Sequence, residues 1–188
     1  ARQSVLACYN MLIPYILRDL PDPQAQALAQ NVKLPMVYAN VVIRNWRSWA
    51  ELGIQEVYAP GMPFSLMKLD YPVDLGGYQA PNDPAQPMCL HLVHVPHAAG
   101  VGPDLRAQAR AARMQIYTST FDHYEAQIRD QLQRVLGGGG FDHQRDVLAI
   151  TVNRWPHGYS YYSNPLFDGP DGGAAVMQRA RKPLGAVA

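Results

Sequence analysis

Charge is what this chain has least of. Asp, Glu, Lys and Arg make up 16% of its 188 residues, against about 25% in an ordinary globular chain. With 16 basic and 15 acidic groups the net charge is +1, which offers no electrostatic footing for nucleic acid or an anionic membrane. So few charges suggest surfaces that other protein covers. Cysteine is nearly absent too: Cys8 and Cys89 lie in the apolar runs VLACY and MCLHL, where a thiol packs as a small hydrophobe. The redox compartment is therefore left open. No apolar run approaches the ~18 residues of a transmembrane helix, and no internal repeat is visible.

What is present is a succession of short periodic elements. Val5–Tyr9 reads as a buried strand and Met11–Leu17 as a helix, with Pro14 in its first turn. Asp22 and Pro23 announce a helix to Gln30. In Pro35–Arg44 the residues Val37, Ala39, Val41 and Ile43 share one strand face. Asn45 caps a short helix, Trp46–Leu52, closed by Gly53. The Pro- and Gly-rich stretch from Val57 to Pro87 holds two short strands, Phe64–Leu69 and Val73–Tyr78. Met88–Val95 is a further buried strand, and Asp104–Met114 a helix. Phe121, Tyr124, Ile128, Leu132 and Val135 form an amphipathic stripe behind Ser119 or Thr120 as N-cap. Val147–Val152 alternates as a buried strand. After Leu166 the pattern fades and loose order is expected. Together these elements predict an α+β domain, a mixed sheet flanked by helices.

The densest chemistry follows the last strand. Trp155, His157, Tyr159, Tyr161 and Tyr162 fall within eight residues, bent by Pro156 and Gly158. Rings that bury area yet keep a polar tip either pack under something or line a pocket. Other constellations carry less. His91, His94 and His97 recur every third residue, but residues three apart on a strand point to opposite faces, which argues against a metal site. Ser160 near His157 has no nucleophile elbow around it. Trp46 and Trp49 sit on one helical face beside Arg44 and Arg47 and read as core. Glu125 and Arg129 make an i, i+4 pair, and Asp122, Asp130, Asp142 and Asp146 read as solvated carboxylates.

Six stretches, in order, resemble the spermidine-dehydrogenase-like group of FAD-dependent amine oxidoreductases. They are SVLACYNMLIPYI (Ser4–Ile16), KLPMVYANVVIRNWRSW (Lys33–Trp49), VYAPG (Val57–Gly61), PMCLHLV (Pro87–Val93), IRDQLQRVLGGGGFD (Ile128–Asp142) and ITVNRWPHGYSYYSNPLFD (Ile150–Asp168). RKPLG from Arg181 is similar to the start of that group's last flavin-contacting strand. The resemblance implies residues 1–32 from an FAD domain, a substrate domain over 33–168, and a return to the FAD domain over 169–188. It implies oxidation of a polyamine-like amine by hydride transfer to FAD. Trp155, His157, Tyr159 and Tyr161 would then meet the amine, with Trp155, Gly158 and Tyr159 near the flavin face. His157 is the one candidate catalytic group.

The group's phosphate-binding G-x-G-x-x-G turn has no counterpart in this chain. Gly137–Gly140 follows a helix and reads as its C-terminal turn. The expectation is a portion of a larger enzyme that lacks its N-terminal flavin-binding part, inactive alone, with export to the periplasm as the resemblance's implication. The alternative is a non-catalytic α+β binding module with an aromatic pocket and no cofactor. Amine identity, electron acceptor, haem requirement and oligomeric state are not legible here.

Overall fold

A computed structural model describes residues 5–102, 105–160 and 173–184. The chain divides into two compact units, Pro35–Gly158 and the pair of segments Ala1–Leu34 with Tyr159–Ala188. In chain order the elements are α1 (Ile13–Ile16), α2 (Asp22–Ala29), β1 (Met36–Ile43), α3 (Arg47–Leu52), β2 (Glu56–Tyr58) and β3 (Leu66–Leu69). They continue with β4 (Met88–His94), α4 (Leu105–Thr118), α5 (Phe121–Leu136), α6 (His143–Asp146), β5 (Val147–Trp155) and α7 (Ala174–Ala180). The fold is mixed, a five-stranded antiparallel sheet with helices.

Pro35–Gly158 is built on that sheet, in the order β2-β3-β4-β1-β5. The alternation in β1 does what its period requires: Val37, Ala39, Val41 and Ile43 are all fully buried. Leu90 and Leu92 of β4, Met67 of β3 and Val57 of β2 extend the same face. Against it lie Ile116 of α4, the α5 stripe Tyr124, Ile128, Leu132 and Leu136, and Trp49 of α3. Full burial of each such side chain contributes roughly 1.5–3 kcal/mol. The stripe is shifted toward the helix end. Phe121 is exposed and Leu136 is buried in its place.

A single buried polar residue ties α5 to the loop before β3. Gln131 Oε1 accepts from the Phe64 amide at 2.9 Å, and its Nε2 donates to the Phe64 carbonyl at 2.6 Å. Both backbone groups of a fully buried residue are thereby satisfied. Thr120 caps α5 by accepting from His123 N. Gly53 ends α3 at φ +65°, the left-handed conformation that favours glycine.

Several expectations need correcting. Val5–Tyr9 is not a strand; Val5 is exposed, and from Tyr9 the chain turns into a 3₁₀ turn at Asn10–Leu12 ahead of α1. An apolar pentapeptide becomes a strand only where a ladder partner accepts it. Val73–Tyr78 makes one isolated bridge, Leu75 with Tyr78, and β2 was not anticipated. β5 runs three residues past Val152 and is the edge of the sheet, so Leu148 and Trp155 are exposed. Pro21, not Asp22, precedes the first turn of α2. Residues 174–180, expected to be loose, form α7.

In the other unit, Gln24 of α2 is buried and donates through Nε2 to the carbonyls of Ala180 and Lys182. Lys33 bridges to Ser160, and Leu34 N donates to Tyr159 O at 2.9 Å. Among the described residues no helix is long and apolar enough to cross a membrane.

Candidate functional site

The aromatic end of β5 is divided by the unit boundary. Trp155 is the last residue of β5, paired in register with Met36, and is half exposed. Pro156 and His157 form a turn. His157 is half-buried, and its pKa is lowered first by that burial and then by the charge of Arg113. Gly158 closes the sheet unit, while Tyr159 belongs to the helical unit, with its side chain exposed. Tyr161 and Tyr162 lie outside the described residues. Trp155 and His157 thus both belong to the sheet unit, two residues apart at the end of β5.

The face of the sheet opposite the core carries a second arrangement that sequence reading missed. Strand register aligns Glu56, Lys68, His91, Asn40 and Thr151 in one row across all five strands. Directly opposed antiparallel residues point to the same side, so these five share a face with Trp155, Asn153 and Tyr38. His91 Nδ1 lies 3.2 Å from Asn40 Oδ1. An amide oxygen only accepts, so Nδ1 is the donor in this contact. The His91 ring also lies 5.1 Å from that of Tyr38. Burial, and then the charge of Lys68, lower the His91 pKa. Lys68 Nζ in turn binds the Tyr71 hydroxyl at 2.9 Å and sits over its ring.

The signal for this row was partly present. Asn40 and His91 occupy the off-core phase of two strands whose core phase was readable. Their pairing depends on register, which no local pattern supplies. The histidine triplet separates as strand geometry requires. His91 lies on the row, whereas His94 lies on the core side, donating from Nδ1 to Pro63 O near the rings of Phe64 and Tyr124. No group of three metal-ligating side chains occurs among the described residues.

FAD needs backbone N–H groups at a helix N-terminus to hold its pyrophosphate, and neither α2 nor α5 offers a fitting one. α2 opens on Pro21, Asp22 and Pro23, two residues without an N–H and one carboxylate. α5 opens on Thr120, which already caps it, and on Asp122. The glycine run serves packing instead. A Cβ on Gly139 would stand 2.5 Å from the Ser48 carbonyl oxygen, so only glycine lets this turn approach α3.

No family model and no curated protein matches the chain. Among solved structures one similar chain is a putrescine oxidase double mutant from a redesign of cofactor binding. The identity is 14% and the TM-score 0.47, covering 78% of this chain and 27% of that one. The chain spans about a quarter of that enzyme's length.

Proposed function

We propose that this chain is the substrate-side part of a FAD-dependent oxidoreductase acting on an amine, the flavin being held by residues outside this sequence. The observation that carries the reading is the ordered set of six stretches resembling that group, the last of which supplies Trp155 and His157. Their chemistry suits the substrate. A half-exposed indole offers a π face to an alkyl-ammonium, and a histidine held below its ordinary pKa stays neutral near pH 7 and accepts an N–H. Tyr159 and Tyr161 complete the proposed contacts, and His157 is a polar contact rather than an assigned base. Gly158 and Tyr159 would lie toward the flavin.

The test is made on the product of the full reading frame. Purified protein should carry a flavin absorbance band that spermidine or putrescine bleaches under anaerobic conditions. Trp155→Ala should raise the amine concentration needed for half-bleaching by about tenfold, the scale of one lost cation–π and packing contact. A product without flavin, or one whose flavin no amine reduces, would leave the cofactor-free α+β binding module as the better reading.

A further inference from the structure

We propose that Trp155, Tyr38 and His91 form a diagonal rail across the face of the sheet opposite the core, and that His91 receives the far nitrogen of a linear triamine whose near nitrogen lies at Trp155. This deepens the amine reading and rests on it for the identity of the ligand. The placement of the three rings does not depend on that reading.

Register sets the line. Trp155 of β5 stands opposite Met36, and Tyr38 lies two residues further along β1. Tyr38 stands opposite Val93 of β4, and His91 lies two residues further in the same direction, at the level of Asn40. Each ring is therefore the diagonal neighbour of the next on one face, at about 7–8 Å per step. The second step closes to ring contact, with the centroids of Tyr38 and His91 5.1 Å apart. End to end the two steps span about 15 Å. Spermidine, a staggered chain of nine bonds of about 1.5 Å, sets its terminal nitrogens about 11 Å apart. The remainder is a contact distance at each end, to the indole and to the imidazole. A monoamine seated at Trp155 falls short of His91.

The far end is built to accept an N–H. Asn40 Oδ1 accepts from His91 Nδ1 at 3.2 Å and Tyr38 packs on the ring, so the imidazole is fixed from two sides. Burial, and then the charge of Lys68, hold His91 below its ordinary pKa, so near pH 7 the ring is neutral and Nε2 is an acceptor. Lys68 itself is turned to Tyr71, donating to its hydroxyl and lying over its ring. The carboxylates of Glu56 and Asp70 both act on that ammonium, two negative groups against one positive, so the surroundings admit a further cation. Between the ends, half-buried Tyr38 offers ring surface to the methylene chain.

The 188-residue chain is titrated with spermidine and with butylamine to about 10 mM, a range that captures millimolar affinities. Nuclear magnetic resonance follows the Trp155 indole N–H and the His91 ring. Spermidine should move both signals with one half-saturation point, and butylamine only that of Trp155. Spermidine should half-saturate at least ~10-fold below butylamine, the scale of one added charge-assisted hydrogen bond. His91→Phe keeps a ring against Tyr38 and removes the acceptor, so the ratio should fall to about threefold or less. His91→Gln, whose amide oxygen still accepts, should retain most of it. A merely structural His91 would shift both amines alike and leave the ratio intact. A His91 signal that spermidine leaves in place, or a ratio indifferent to His91→Phe, would overturn the proposal. The amine reading fails separately, when no amine bleaches the flavin of the full product; a spermidine shift at His91 would then make the rail the ligand site of a cofactor-free binding module.

Discussion

At the scale of single residues, the chain places its polar groups where only one side chain type satisfies them. Gly139 is the sharpest case: any Cβ there meets the Ser48 carbonyl oxygen at 2.5 Å. The clash is with backbone, which does not swing aside. Gly139→Ala is therefore expected to destabilise the sheet unit by about 1–3 kcal/mol, the range of overpacking; urea denaturation measures it, and an unchanged midpoint would refute the close approach. His94 supplies a pH dependence. Burial holds its imidazole below the ordinary value near 6.5, against the opposing hydrogen bond to Pro63. A folded pKa lower than the unfolded one means that the stabilisation is complete above pH 6.5. It is lost as pH falls through the folded value, since the unfolded chain takes up the proton first. Urea midpoints at pH 7.5 and 5.5 should differ more in wild type than in His94→Gln. Equal differences would show that His94 is not the group responsible. Both residues lay in readable stretches, a glycine run and a strand. Neither role was legible, because each partner is more than thirty residues away in sequence.

Elements were legible where period and cap agreed, and ambiguous where a short apolar run had to find a partner. β1, β4 and α5 are long, strongly periodic and bounded by clear signals, and they form as their patterns require. Val5–Tyr9 and Val73–Tyr78 had the composition of strands but no ladder to join. β5 had the right period and the wrong depth, because a strand's position in the sheet order is not written in its own residues. That position has a measurable consequence. β1 is hydrogen-bonded on both sides, by β4 and β5, whereas β5 is bonded on one. In a dilute, monomeric sample every β1 amide should exchange slowly with deuterium, β5 amides should alternate between slow and fast, and Val5–Cys8 should exchange fast. Uniform protection along β5 in the monomer would mean that its outer edge is already covered.

For the whole molecule, the question is what the chain holds by itself. Phosphate binding depends on N–H groups converging at a glycine-rich turn and helix N-terminus. The glycine run of this chain instead packs against α3, and α2 starts with two prolines and a carboxylate. The 188-residue chain, purified and mixed with FAD, is expected to leave the flavin free on gel filtration. Co-elution at near one-to-one stoichiometry would place the binding determinants inside this sequence.

The residues alone determined the element types, the core face of β1 and the stripe of α5, because period 2 and period 3.6 are properties of consecutive side chains. They also determined that His91 and His94 could not converge on one ion. Only the tertiary structure decided that Asn40 meets His91, that Glu56, Lys68 and Thr151 extend their row, and that β5 rather than a central strand forms the long edge. It also decided that the sheet unit ends at Gly158. Strand order and register are set by the burial of all five strands at once, a sum over distant residues that no local window contains.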